Sequence, residues 1–197
     1  MSPLHKKLAI QYGIISTLLS VLYVLGIYIV DESLFISQWG GMVVLLGTLV
    51  LFIVAVLQYK KENGGYASFR EAFSAFMLPF IFATVLSLVF NLTFYNFVDA
   101  DLAARNADRQ FDQMLEMPEE QLQGAMKFMG VASTDELQAN LLEKAEESKT
   151  ILGQLKGGGT GLVFFAILGL IVAAVTKKNR PEFDSAHVGP FYRRTPL

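Results

Sequence analysis

The chain has 197 residues, of which 53% are hydrophobic and 17% are charged, and it contains two histidines, one tryptophan and no cysteine. Its mean hydropathy is +0.43, and its formal net charge is −2 at pH 7. This composition excludes an ordinary soluble enzyme, a collagen-like or disordered chain, and a disulfide-stabilised scaffold.

Four runs of the sequence contain no Asp, Glu, Lys or Arg. They are residues 8–30, 33–59, 72–98 and 157–176, with lengths of 23, 27, 27 and 20 residues. Each reaches the length of about 20 apolar residues that a helix needs to cross a hydrocarbon core of about 30 Å. We therefore predict an all-α integral membrane protein, a four-helix bundle in the lipid bilayer. The predicted helices cover about residues 8–30, 36–59, 70–98 and 157–176.

The first run follows Lys6 and Lys7, a basic start that is similar to a secretory signal peptide. The apolar region of a signal peptide has about 7 to 15 residues, whereas this run has 23. We therefore predict a retained membrane helix. Its small and weakly polar residues recur at helical spacing and form a candidate helix-packing stripe, Gly13, Ser16, Thr17 and Ser20. Such stripes let helices approach closely in lipid, and a lined solute pathway is the alternative interpretation.

A patterned stretch precedes helix 3, and we name it the helix 3 start motif. Its members are Gly65, Tyr66, Ser68, Phe69, Glu71 and Phe73. Ser68 and Glu71 have the spacing of a capping box, in which each side chain accepts a hydrogen bond from the other residue's backbone N–H. The motif therefore predicts that helix 3 begins at Phe69.

Helix 3 also carries the most polar stripe inside the four runs. Its members, Thr84, Ser87, Asn91 and Tyr95, recur at spacings of three and four. An amide at membrane depth needs a hydrogen-bond partner, because an unsatisfied polar group in hydrocarbon is costly. A hydrogen bond between helices is the favoured interpretation of this polar stripe. A solute pathway is the alternative.

Residues 99–156 form the one long hydrophilic segment, with 12 acidic and 6 basic residues. Helical spacing of its charges and leucines predicts an amphipathic helical hairpin between helices 3 and 4. Pro118 marks a new helix start, and Ser133 with Glu136 is a second candidate capping box. The glycine-rich run at 157–161 predicts a flexible joint before helix 4.

The basic residues predict the orientation of the chain. Ten Lys and Arg residues fall within residues 1–7, 60–71 and 177–197. The positive-inside rule places these segments, and so both termini, in the cytoplasm. Residues 99–156 are then extracytoplasmic, and residues 177–197 form a basic cytoplasmic tail.

The sequence shows no recognisable pattern of catalytic or ligand-binding chemistry. Proton relays and voltage sensors require ionisable residues at membrane depth. None of the four runs contains Asp, Glu, Lys, Arg or His. His5 and His187 lie in opposite tails without metal-ligand spacing, and the glycine-rich run lacks the Lys-Ser/Thr of a P-loop. We therefore predict no catalytic residue, no cofactor, no metal and no nucleic-acid partner.

Four features in this order resemble a known family. They are the four apolar helices, the stretch at 65–73, the long hydrophilic helical segment before helix 4, and the Lys177-Lys178 exit. Together they are similar to the bacterial membrane-protein family catalogued as domain-of-unknown-function family 4199, over about residues 5–178. The resemblance implies a four-helix protein of the bacterial inner membrane, and it implies no catalytic residue.

Our leading hypothesis is a non-enzymatic accessory protein that binds a membrane-protein partner through its acidic segment. The contrast between a chemically plain membrane part and a patterned hydrophilic segment is its basis. The alternative hypothesis is a small transporter or channel subunit, a homo-oligomer with an uncharged polar pathway along helix 3.

Overall fold

The structure is a computed structural model that describes residues 2–180. Residues 181–197, most of the predicted basic tail, lie outside the described range. Within it the chain forms seven α-helices and no β-strand. The helices are α1 (Pro3–Val30), α2 (Gln38–Glu62), α3 (Phe69–Thr93), α4 (Leu102–Leu115), α5 (Glu119–Met129), α6 (Thr134–Ser148) and α7 (Ile151–Thr176). The predicted all-helical fold is confirmed.

Four helices are long and apolar enough to cross a membrane. They are α1, α2, α7, and α3 together with the π-helical turn Phe94–Val98 that extends it, and their mean hydropathy lies between 2.2 and 2.7. No more than 28% of any of these apolar segments is buried inside the protein. The outer faces carry large apolar side chains, a surface suited to hydrocarbon rather than to water.

The four long helices alternate in direction between two ends of the bundle. At one end, His5 Nε2 lies 3.1 Å from the Glu71 carbonyl oxygen, and the Lys60 ammonium donates to the Thr176 carbonyl at 2.8 Å. We name this the basic end, because the lysines at the helix termini gather there. The other end, which carries α4, α5 and α6, is the acidic end. Helix α3 is central, since it packs against α1, α2 and α7.

The core of the bundle lies toward the basic end. Phe52 and Phe76 are fully buried there and meet edge to face at 5.9 Å between ring centroids. Helix α7 reaches this core through Gly169, where a Cβ atom would lie 2.8 Å from Phe76 Cδ1. A glycine here therefore permits the close approach of α7 to α3.

The hydrophilic segment forms three helices, and the helix starts predicted at Pro118 and Ser133 are confirmed. Proline at 118 starts α5, and Gly130 ends it in the left-handed region with φ 72°. Helices α4 and α6 pack against each other. Their buried residues form a second core of Ala103, Ala107, Met114, Leu137, Leu141 and Ala145.

The predicted joint at 157–161 is wrong, because α7 runs without interruption from Ile151. Its first turn is capped by the Thr150 hydroxyl, which accepts from the Gly153 N–H at 3.0 Å. A glycine costs about 1 kcal/mol in a helix interior. Breaking the backbone hydrogen bonds of an apolar segment costs more, so the glycines stay helical.

Candidate functional site

A cavity of about 610 Å³ lies among α1, α2, α3 and α7, in the half of the bundle nearer the acidic end. All four helices contribute to its wall, and none of the lining residues is charged. The polar residues of the wall are Ser16, Ser20, Thr48, Thr84, Ser87, Asn91 and Gln154. The cavity therefore presents hydroxyl and amide groups within an otherwise apolar wall.

Three phenylalanines form the floor of the cavity, on its side toward the bundle core. Phe80 and Phe165 stack with centroids 4.4 Å apart, and Phe52 meets them edge-on at 6.1 Å and 6.0 Å. Phe76 lies fully buried against Phe52 and Phe165 in the core. The cavity thus ends inside the bundle and does not continue to the basic end.

The predicted polar stripe of helix 3 divides into two parts. Thr84, Ser87 and Asn91 line the cavity, whereas Tyr95 lies in the π-helical turn and packs against the second core. The reason is geometric, because the turn carries Tyr95 beyond the level at which α7 faces α3.

Asn91 forms the hydrogen bond between helices that its position predicted. Its side-chain N–H donates to Gln154 Oε1 at 3.3 Å, which joins α3 to α7. Gln154 in turn donates to the Ser148 carbonyl at 2.7 Å. The Asn91–Gln154 pair therefore joins the cavity wall, at its end away from the phenylalanine floor, to the junction between α6 and α7.

The stripe on α1 contributes both to a packing contact with α3 and to the cavity wall. At Gly13 a Cβ atom would lie 2.6 Å from Phe82 Cδ1 and 3.1 Å from the Pro79 carbonyl oxygen, so this position is a packing contact with α3. Thr17 is buried and donates to the Gly13 carbonyl at 2.9 Å. Ser16 and Ser20 line the cavity instead.

The helix 3 start motif caps α3 and closes the basic end. The Glu71 N–H donates to the Ser68 hydroxyl at 3.3 Å, and the Ser68 N–H donates to Glu71 Oε2 at 2.8 Å, so the capping box is present. Helix α3 begins at Phe69, as predicted. The Tyr59 hydroxyl donates to Glu71 Oε1 at 3.1 Å, which joins α2 to this cap.

Other members of the motif join α3 to the end of α7. Gly65 and the preceding Gly64 adopt φ values of 86° and 74°, which side-chain-bearing residues avoid. The Lys178 ammonium lies 5.2 Å from the centroid of the Tyr66 ring. Phe73 packs against the bundle core. These contacts show that the motif has a structural role.

A cluster of charged side chains fastens α4 to the bundle, and sequence reasoning missed it. The Arg105 guanidinium donates to Glu32 at 2.9 Å and to Asp99 at 2.7 Å, and Arg109 donates to Glu32 at 2.8 Å. The Tyr28 hydroxyl donates to Asp99 at 3.1 Å. The available signal was Glu32, an acidic residue in the short turn between two apolar runs.

The cluster has a clear electrostatic signature. Hydrogen bonding from Arg105 is the main cause that lowers the pKa of Asp99 to about 2. Hydrogen bonds from Arg105 and then Arg109 lower the pKa of Glu32, and the two carboxylates raise the pKa of Arg105. All of these groups are therefore charged near neutral pH, and each charge has a partner.

The family model described as "Protein of unknown function (DUF4199)" matches residues 11–178. The chain belongs to the DUF4199 family. The match includes the cavity wall, the helix 3 start motif and the charged cluster of this DUF4199 protein, and it confirms the resemblance stated above. No curated protein and no solved structure matches the chain.

The polar groups in the cavity of this DUF4199 protein are hydroxyls and amides, which form hydrogen bonds. Within residues 2–180, no three His, Asp or Glu side chains are grouped as a metal site requires. The hydroxyls and amides of the wall can hold an uncharged molecule by donating and accepting hydrogen bonds. The phenylalanine floor offers an apolar surface to the rest of such a molecule.

Proposed function

We propose that this protein spans the inner membrane of a bacterium with α1, α2, α3 and α7, and that both termini are cytoplasmic. The exposed apolar faces of these helices support the insertion. The lysines gathered at the basic end support the orientation by the positive-inside rule. At the acidic end, Arg105 and Arg109 are paired with carboxylates.

Within the membrane, the protein acts without catalysis as an accessory subunit that binds a membrane-protein partner through α4, α5 and α6. One observation carries this proposal: the acidic segment is held in a fixed position on the bundle. It has its own core, and Arg105 and Arg109 join α4 to the turn after α1 and to Asp99. The acidic residues of the segment outnumber its basic residues, and a fixed surface with net negative charge favours a partner of complementary charge.

The exposed surface of α5 gives the partner an apolar anchor. Phe128 is 93% exposed, although it belongs to a helix whose other apolar residues, such as Leu122 and Met126, pack against the second core. Aromatic side chains are enriched among the residues that dominate binding energy at interfaces. The segment has 12 acidic against 6 basic residues. We therefore propose a partner with a basic surface and an apolar pocket close to the membrane.

Purification from native membranes after crosslinking tests this proposal. Wild type should recover a stoichiometric membrane-protein partner, and Phe128→Ala should reduce that recovery about tenfold or more, as loss of a dominant interface residue does. Phe97→Ala is the matched control, because Phe97 is 85% exposed but belongs to the π-helical turn outside α5. Equal recovery with Phe128→Ala and wild type would contradict the proposal.

A second function, transport by a small channel or carrier subunit, is favoured by one observation, the cavity lined by Thr84, Ser87 and Asn91. Transport would require the phenylalanine floor to open, since the cavity ends at Phe52, Phe80 and Phe165. In reconstituted vesicles, Asn91→Leu should change solute flux if this residue lines a pathway. If Asn91 only joins α3 to α7, the substitution should lower stability and leave flux unchanged.

A further inference from the structure

We propose that the cavity among α1, α2, α3 and α7 is a binding site for one uncharged single-chain lipid that ends in a hydroxyl group. The hydroxyl would lie near Thr84, and the hydrocarbon chain would follow the apolar wall and the phenylalanine floor. The inference depends on the proposed membrane location, but it does not depend on the protein partner.

The wall of the cavity selects against a charged headgroup. No lining residue is ionisable, and burying a charge without a counter-charge is costly. The charged side chains Arg105 and Lys156 at the acidic end are already paired, Arg105 with Glu32 and Asp99 and Lys156 with Glu147. Phospholipids and fatty-acid anions therefore fit the wall poorly.

The hydrogen bonds of the wall favour a ligand that can donate. Thr84 Oγ1 donates to the Phe80 carbonyl at 2.9 Å, and Ser20 Oγ donates to the Ser16 carbonyl at 3.0 Å. Because each hydroxyl has one hydrogen, these oxygens are left as acceptors on the cavity wall. A ligand hydroxyl can donate its hydrogen to one of them, whereas a ligand with carbonyl or ether oxygens alone has no hydrogen to donate.

The size and the apolar wall fit a single hydrocarbon chain. A volume of about 610 Å³ lies within the range of about 300 to 1,000 Å³ that small-molecule sites occupy. A two-chain lipid would leave one chain outside. The apolar wall is formed by Val44, Leu45, Leu88, Leu155 and Leu162 together with the phenylalanine floor.

Glycines on α7 leave the space that the chain would occupy. Gly158 lines the cavity, and a Cβ atom there would lie 3.6 Å from Thr84 Cγ2, so a larger side chain would project toward Thr84. The neighbouring Gly157 is exposed and lies outside the cavity wall, and its Cβ atom would meet nothing within 4 Å. The two positions therefore form a matched pair, one that blocks the site and one that does not.

Photoaffinity labelling of the purified full-length protein in phospholipid nanodiscs tests the site. The probe is hexadecanol with a photoreactive diazirine in its chain. We expect labelling of α3 between residues 80 and 91 or of α7 between residues 154 and 165, where these helices line the cavity. Peptide mass spectrometry maps the labelled positions. Unlabelled hexadecanol should compete about three- to tenfold better than its methyl ether, the difference that one hydrogen bond makes. Palmitate should compete more weakly than hexadecanol.

Three variants keep the test independent of folding. Gly158→Leu should reduce labelling about tenfold or more by filling the cavity, and Gly157→Leu should leave labelling unchanged. Thr84→Val has nearly the same shape and removes one acceptor, so it should reduce the advantage of hexadecanol over its ether. Each variant is first checked for wild-type elution on size exclusion and wild-type helicity.

Equal labelling of wild type and a folded Gly158→Leu protein, or equal competition by the alcohol and its ether, would overturn the proposal. Preferential competition by palmitate would do the same. The assay contains no partner protein, so these results are separate from those of the crosslinking experiment with Phe128→Ala. A protein that binds hexadecanol but recovers no partner would fail only the proposed function.

Discussion

The two halves of the bundle are packed differently. Toward the basic end, aromatic rings and small residues fill the space between the helices, and the hydrogen bonds of Glu71 and Lys60 join neighbouring helices. Toward the acidic end, the same four helices leave a cavity of about 610 Å³, and an ionic cluster fastens α4 above it. We therefore expect the basic half to supply most of the stability, whereas the acidic half leaves space between its helices.

Removing an aromatic ring from the basic half of the bundle should give the largest loss of stability. Phe76→Ala should lower the free energy of unfolding by about 3–5 kcal/mol, because a fully buried phenylalanine leaves a cavity. Leu88→Ala, on the wall of the existing cavity, should cost less than about 2 kcal/mol, since part of its surface already lacks packing partners. Denaturant unfolding in detergent measures both. Equal losses would remove the distinction between the halves.

Adding a side chain at the close contact between α1 and α3 should give the next largest loss of stability. Gly13→Ala places a methyl group 2.6 Å from Phe82 Cδ1, so it should destabilise the protein by about 1–3 kcal/mol. Gly47→Ala is the control, because its Cβ atom would meet nothing within 4 Å. The control should be neutral or should gain up to about 1 kcal/mol of helix propensity. Similar melting temperatures for the two variants would show that α1 does not pack closely at Gly13.

Lowering the pH should loosen α4 at the acidic end before it affects the basic half of the bundle. Of the predicted effects, this one changes overall stability least. The pKa of Asp99 lies at about 2, below its ordinary value of 3.8. A carboxylate whose pKa is lowered by folding stabilises the fold above its unfolded pKa, and this contribution is lost as the pH falls through the folded pKa. The protection factors of the α4 amides, which correct for the pH dependence of intrinsic hydrogen exchange, should therefore fall between about pH 4 and pH 2.

Arg105→Met provides the control for this pH effect. Without the guanidinium, Asp99 and Glu32 lose their main hydrogen-bond donor, so α4 should already exchange faster at neutral pH and should respond less to acid. The backbone amides of α3 near Phe76 should keep their protection in both proteins. Simultaneous loss of protection at both ends would show that the two halves unfold as one unit.

Local features of the fold could be predicted because each depends on neighbouring residues. Ser68 and Glu71 cap α3 through contacts three residues apart. Ser133 likewise caps α6 by accepting from the Glu136 N–H at 3.2 Å. Its reciprocal contact differs, since Glu136 Oε2 accepts from the Ala132 N–H instead. Short-range hydrogen bonds are thus visible in sequence spacing to within about one residue.

The candidate site was predicted only in part. The spacing of Thr84, Ser87 and Asn91 shows that they share a helix face, but the same spacing included Tyr95, which packs elsewhere. Whether a helix face meets a neighbour or a cavity depends on the volumes of side chains from other helices. Gly158 contributes to that volume from a position 74 residues after Thr84 in the chain.

The sequence by itself determined the four apolar helices, the charge difference between the two ends and the cap of α3, because these follow from composition and from contacts within one or two helical turns. Only the tertiary structure decided that the glycines at 157–161 are a helical wall rather than a joint, and that Arg105 pairs with Glu32 across 73 residues. It also decided that a cavity lies above Phe52, Phe80 and Phe165. Packing volume and ion pairing depend on distances between helices, which sequence periodicity does not contain.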